Sequence, residues 1–189
     1  MARWEPNASQ RLADAALELF AERGYENTTV LDIAKRAGLA KSTFFRHFQD
    51  KREVLFGEDA LVEPLVTAIT SAPTGATPLE AMASGFDALG RDVFTPDRRA
   101  FTVRRRALID AHPDLREREA LKTMNLTAAL TTAVERRGTP ALLAGVSAQL
   151  GTLALKAAYE RWSDLGNTDD FGDIARQTLS EVQAAVSAV

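Results

Sequence analysis

Between residues 41 and 51 the sequence sets cations, hydroxyls and an aromatic ring close together: Lys41, Ser42, Thr43, Phe45, Arg46, His47 and Lys51, with Thr29 a short way before them. Ammonium and guanidinium groups clamp phosphates, hydroxyls bond to phosphates or base edges, and an apolar ring packs on a thymine methyl. A solvated surface has little use for Phe45. From residue 35 to residue 52 there are six basic side chains against one acid, Asp50, whereas residues 57 to 189 carry 14 basic and 18 acidic ones. The overall charge of −3 therefore conceals one strongly basic segment, the footprint of a polyanionic partner. Blander readings stand beside this one. A basic run is commonly just a solvated face, His47 is also suited to capping or packing, and Thr29 is also a helix cap, a role compatible with phosphate contact.

Other chemistry finds no parts. Lys41-Ser42 has the ending of a phosphate-binding loop, but the glycines that loop needs would stand at Lys35 and Ala40. The chain has no cysteine, two histidines (His47 and His112) and no Glu-x-x-His motif, so neither a zinc site nor a di-iron bundle assembles. No nucleophile is paired with a base. The expectation is a protein that is not an enzyme and holds no metal or cofactor. The absence of cysteine, the lack of a basic-then-apolar leader at Met1 to Pro6, and the lack of any stretch approaching the roughly 20 apolar residues of a bilayer span lead us to expect a cytoplasmic protein with no membrane partner.

The elements that carry the basic segment are helical. Asn7 followed by Gln10 is a capping-box pattern after Pro6, and Leu12, Ala16, Leu19 and Phe20 then recur at helical spacing up to Gly24. Thr29 with Asp32 opens a second, two-turn helix bearing Val30, Ile33, Ala34 and Ala37, which Gly38 ends. A three-residue turn, Gly38-Leu39-Ala40, leads to a third helix over Lys41 to Phe48, where Phe44 and Phe48 lie four apart and face inward. Asp50 and Glu53 open a fourth, with Val54, Leu55 and Phe56 before Gly57. Two short helices about such a turn are the proportions of a helix-turn-helix, whose second helix enters the DNA major groove.

Beyond residue 57, proline and glycine breaks delimit helices near 59–71, 78–93, 97–111, 113–137, 140–164 and 169–188. Nothing alternates with period two, so the fold class is all-α: an amino-terminal helix-turn-helix domain, 1–56, and a larger helical domain, 57–189. In 140–164, Leu142, Val146, Leu150, Leu153, Ala157 and Ala158 form one stripe, while Leu143, Ala154, Leu155 and Trp162 widen it. The segment 169–188 carries Phe171, Ile174, Ala175, Leu179, Val182, Val186 and Val189. This surplus of apolar surface on adjacent helices points to a partner, unless both are central in a monomer's core.

The run Thr28-Thr29-Val30-Leu31-Asp32-Ile33-Ala34, then Ala37-Gly38-Leu39, then Lys41 to Phe48, then Asp50-Lys51-Arg52-Glu53-Val54-Leu55, preceded by Ala15 to Phe20 and Gly24-Tyr25, resembles the DNA-binding domain of the tetracycline-repressor (TetR) family of bacterial transcriptional regulators. The resemblance covers residues 10–56; the rest agrees only in length, helicity and the paired apolar helices at its end. It implies a homodimer, joined through the helices near 140–164 and 169–188, whose heads read successive major grooves of a near-palindromic double-stranded operator. It further implies a carboxy-terminal domain that takes a small-molecule effector. Carried over residue by residue, the DNA contacts fall on Thr29, Lys41, Ser42, Thr43, Phe45, His47 and Lys51, with the amides at the start of helix four adding to the pull of Lys51 on a phosphate. Two departures stand out. Ala40 replaces a common small polar cap and Phe45 a common tyrosine, each a lost hydrogen bond worth about 1 kcal/mol. Arg46, and Arg3 in an arm ahead of helix one, are placed to compensate.

Repression with release by ligand follows from population shift, although activation stays open, as does a helical small-molecule-binding protein with a vestigial head. No ligand-binding residue is assigned. Phe86, Phe94, Phe101, Met82, Met124, Tyr159 and Trp162 would line a cavity, with Arg105, Asn125, Gln149 or His112 as anchors, or else be plain core. The arginines at 98–99 and 104–106 suit either an anionic ligand or a salt-bridged surface with Asp97, Asp110 and Asp114.

Overall fold

The structure, a computed structural model, describes residues 8–57 and 61–188. The described residues contain ten α-helices and a 3-10 turn, with no strand among them, and the chain divides into two compact units, Met1–Asp59 and Ala60–Val189. Arg3, the Asn7 cap, Val189 and the expected helix start near residue 59 lie outside the described residues.

In the first unit α1 (Ala8–Arg23) is the central element, touched by α2 (Val30–Arg36), α3 (Lys41–His47) and α4 (Glu53–Phe56). Leu12, Ala16, Leu19 and Phe20 of α1 are buried against Ile33, Ala34, Phe44, Phe48, Val54 and Leu55. The caps explain the boundaries. The hydroxyl of Thr29 accepts from the Asp32 amide while the Asp32 carboxylate accepts from the Thr29 amide, a complete capping box. Gly24 (φ 83°) and Gly38 (φ 69°) end α1 and α2 in the left-handed region that a side chain would strain.

The second unit is built around α6 (Pro78–Asp92), which packs against α5 (Val62–Ser71), α9 (Ala141–Trp162) and α10 (Phe171–Ser187). Glycine lets these helices approach closely. A Cβ at Gly85 would lie 2.7 Å from Leu65 Cδ2, one at Gly90 would lie 3.0 Å from the Gly172 amide, and one at Gly151 would overlap Met82 Sδ. Thr77 and Glu80 cap α6 reciprocally, with Pro78 at its first position. The helix α8 (Pro113–Glu135) lies along α9 and α5 and adds Leu126, Leu130, Ala133 and Val134 to this core.

The helix α7 (Arg99–Ala111), by contrast, buries only Thr102 and Ile109. It is tied to the end of α9 by arginines. Arg99 donates to the Trp162 carbonyl (2.7 Å), Arg106 to the Glu160 carbonyl and the Ser163 hydroxyl (2.9 Å each), and Arg105 to the Tyr159 hydroxyl (2.9 Å). Arg99 and Arg106 thus cap the carbonyl end of α9, while Arg105 is ion-paired with Glu119 (3.3 Å) and Arg106 with Asp110 (3.7 Å).

One sequence reading needs correction. At 22 residues α9 is long and apolar enough, by length and composition, to cross a bilayer. Its inner face, Ala144, Ala148, Gly151, Ala154, Leu155, Ala158 and Trp162, is buried against α6, α8 and α10, which makes it the central helix of a packed unit.

Candidate nucleic-acid interface

The short helix α3 has one buried face and one open one. Phe44 (0% exposed) anchors it, with ring centroids 5.5 Å from Phe48 and 5.6 Å from Phe45. Lys41, Ser42, Phe45 and Arg46 are exposed, whereas Thr43 and His47 are half-buried. Phe45 is 50% exposed, and Lys41 Nζ stands 5.7 Å from its centroid, so cation and ring share one patch. Ala40 supplies no side-chain cap, as its type requires, leaving the helix start open. Thr29 is exposed, its hydroxyl engaged with Asp32 in the cap of α2.

The basic segment is divided in its uses. Arg36 reaches back to Glu18 (3.1 Å) and Glu22 (2.6 Å) and locks α2 to α1, which holds the Glu22 carboxyl below its usual range and the guanidinium firmly charged. Arg52 pairs with Asp50 (2.8 Å). The side chains of Lys35, Lys41 and Arg46 make no hydrogen bond or ion pair among the described residues, and so leave their charge for an external anion.

Two expectations about the start of α4 meet a different geometry. The amides of Arg52 and Glu53, thought available to a phosphate, are taken by Asp50 Oδ1 at 2.7 and 3.1 Å. Burial pushes the Asp50 carboxyl up, but these bonds and Arg52 outweigh it and hold it below the usual range. Lys51 turns inward: Nζ donates to the Tyr25 carbonyl at 2.9 Å and lies 4.3 Å from the Tyr25 ring. Sequence had no signal for this, since the acceptors are backbone atoms 23 to 26 residues away. It also missed the Arg36 bridge, whose only trace is acids on one face of α1.

Residues 12–57 match the profile of the bacterial regulatory proteins of the tetR family. The amino-terminal unit belongs to that family. This tetR-family head extends into a curated relative, the HTH-type transcriptional regulator TcmR of Streptomyces glaucescens, 46% identical over 83 residues, which are 43% of this chain and 37% of that protein. The match thus spans little more than a third of that relative's length. Over the whole chain the likeness is one of fold. The fatty acid degradation regulator FadR from Bacillus halodurans aligns with a TM-score of 0.57 at 16% identity, covering 95% of this chain and 96% of that one. SmeT, solved as a complex with triclosan, aligns with a TM-score of 0.57 at 19% identity, over 95% and 91% of the two chains.

The surface grooves among the described residues of the second unit include two that run between helices. One, of about 600 Å³, runs between α5 and α6 past Glu63, Thr67, Ser84 and Arg91; the other, of about 450 Å³, runs between α8 and α9 past Met124, Thr127, Gln149, Leu153 and Lys156. Most residues expected around a cavity instead pack on one another. Phe94 stacks on Phe171 (4.2 Å) and meets Trp162 and Tyr159 edge-on, Met82 and Phe86 are fully buried, and Met124 is exposed. Of the expected anchors, Arg105 is bound to Tyr159 and Glu119, and His112 Nδ1 lies 2.9 Å from the Leu108 carbonyl. Burial pushes the Tyr159 phenol up, against the lowering pull of Arg105.

Proposed function

We propose that the chain is a ligand-responsive transcriptional regulator, a repressor that binds a near-palindromic double-stranded operator as a homodimer. Residues 1–56 are its DNA-binding domain and 57–189 its effector-binding and dimerisation domain; the division of the chain into two compact units supports this assignment. The observation that carries the reading is the open face of α3, where Lys41, Ser42, Phe45 and Arg46 are exposed on a family-matched head. In the groove, Lys41 and Arg46 meet phosphates, Ser42, Thr43 and His47 meet base edges or phosphates, and Phe45 meets a thymine methyl. Thr29 joins them from the start of α2.

Dimerisation is supported by α9. Leu142, Leu143, Val146 and Leu153 are large, apolar and 46–83% exposed on its outer side, while α10 contributes Val186. Paired antiparallel about residues 149 and 150, the stripe is self-complementary: Val146 faces Leu153 of a second copy and Leu142 faces Ala157, as a two-fold interface demands. A small-molecule effector is supported by the shared fold with SmeT, which was solved with triclosan. Operator and effector each favour a different conformation of the dimer, and reciprocity then makes the effector weaken operator binding.

Selection of fragments from the host's genomic DNA by the purified protein tests the reading. Enrichment of a near-palindrome, with affinity falling steeply as salt rises, is the expected result. No enrichment at low salt, with the protein freed of bound small molecules, overturns it in favour of a helical ligand-binding protein.

A further inference from the structure

Lys51 sits where the family resemblance puts a phosphate contact, yet its surroundings are those of an internal clamp. Its Nζ lies 2.9 Å from the carbonyl oxygen of Tyr25, 3.4 Å from that of Glu26 and 3.5 Å from that of Thr28. The Tyr25 ring centroid is 4.3 Å away and the Glu26 carboxylate 4.0 Å, and the side chain is only 25% exposed. An ammonium has three N–H donors, and three carbonyls of a single loop face them. That loop joins α1 to α2 and delivers Thr29 to its capping position. It is held at its other side by the Thr28 hydroxyl, which donates to the Gly24 carbonyl (2.9 Å), and by Tyr25, which is buried edge-on against Phe20 (5.1 Å). The cation also neutralises carbonyl dipoles that would otherwise face one another in a tight turn.

We propose that Lys51 is a positioning residue: its ammonium gathers the carbonyls of Tyr25, Glu26 and Thr28 and fixes the loop that presents Thr29 and α2, instead of neutralising an operator phosphate. The inference rests on the operator reading above, and the two fail in different ways. A phosphate contact releases counterions, so its loss lowers the slope of log affinity against log salt by about 0.9. A positioning residue changes affinity and leaves the slope alone.

The test compares Lys51→Met, which keeps the aliphatic stem on Tyr25, with Lys51→Arg, which keeps donors, and with Arg46→Ala as a reference for a lost phosphate contact, each checked by circular dichroism for an intact fold. Two measurements are made on the full chain: amide hydrogen exchange without DNA, and affinity for the selected fragment over a salt series. In Lys51→Met we expect faster exchange at Thr28, Asp32 and Ile33 with α3 unchanged, and binding about tenfold weaker at every salt concentration with an unchanged slope. Lys51→Arg recovers both. Unchanged exchange in Lys51→Met overturns the inference whether or not DNA is bound, and a slope lowered by about 0.9, as in Arg46→Ala, overturns it in favour of phosphate contact. If the unaltered protein selects no fragment, the operator reading falls and the role assigned to Lys51 in DNA binding falls with it.

Discussion

Replacing Gly151 by alanine probes how α9, the helix bearing the proposed dimer stripe, is seated on α6. A Cβ at that position would overlap Met82 Sδ and lie 3.5 and 3.6 Å from Met82 Cε and Cγ, and Met82 is 0% exposed, so its side chain has no solvent to move into. Overfilling a packed core costs about 1–3 kcal/mol, and overlap with three atoms of one enclosed side chain places this case near the upper end. Alanine's better helix propensity returns about 1 kcal/mol, leaving a net loss of about 2 kcal/mol. Scanning calorimetry should show the larger unit melting about 5–10 °C lower. The same change made in a Met82→Ala background meets no sulfur and should stabilise by about 1 kcal/mol, a coupling of about 3 kcal/mol between the two sites. Met82→Ala alone costs about 2–5 kcal/mol, so the cycle is read relative to that variant. Equal destabilisation by Gly151→Ala in both backgrounds, or none in the unaltered protein, would refute the close α6–α9 approach.

Other perturbations follow from single contacts. Thr29→Ala removes the cap of α2 and should lower the stability of the head by about 1 kcal/mol in urea melts. The Thr29 hydroxyl and amide hold the Asp32 carboxyl below its ordinary range, so the parent's stabilisation is complete above about pH 4 and lost as pH falls through the lowered pKa; the variant's acid limb should be flatter. Tyr159→Phe takes an acceptor from Arg105, whose side chain is 17% exposed, and should cost about 1–2 kcal/mol by calorimetry, while in the parent the phenol should ionise above its ordinary range in an ultraviolet titration. Leu153→Glu puts a carboxylate on the 55%-exposed stripe of α9; sedimentation should show association weakened by about tenfold or more, and unchanged association would remove the stripe from the interface.

The head was legible because its signals are local. Thr29 with Asp32, Gly24, Gly38 and the spacing of Phe44 and Phe48 each act within a turn of chain, and the structure has them as read. Helix limits in the larger unit were legible for the same reason, at Pro78, His112-Pro113 and Pro140. Which face of α9 points inward was harder to read. The large residues Leu142, Val146 and Leu153 are outside and the small ones, Ala144, Ala148, Gly151 and Ala154, are inside, since close helix contact selects for small side chains that hydrophobicity ranks below leucine. The bond from Arg99 to the Trp162 carbonyl, the inward turn of Lys51 and the packing of Phe94 on Phe171 depend on partners 23 to 77 residues away, where neither spacing nor composition reports.

Dimethyl sulfate protection on the selected DNA fragment tests most directly that the open face of α3 reads a major groove, because the reagent reports on guanine N7 in that groove and on adenine N3 in the minor one. Guanine protection is expected in two patches about one helical turn apart, abolished in a Lys41→Ala, Phe45→Ala double variant whose helicity is unchanged. Protection confined to adenine N3, or guanine protection that survives in that variant, would contradict it.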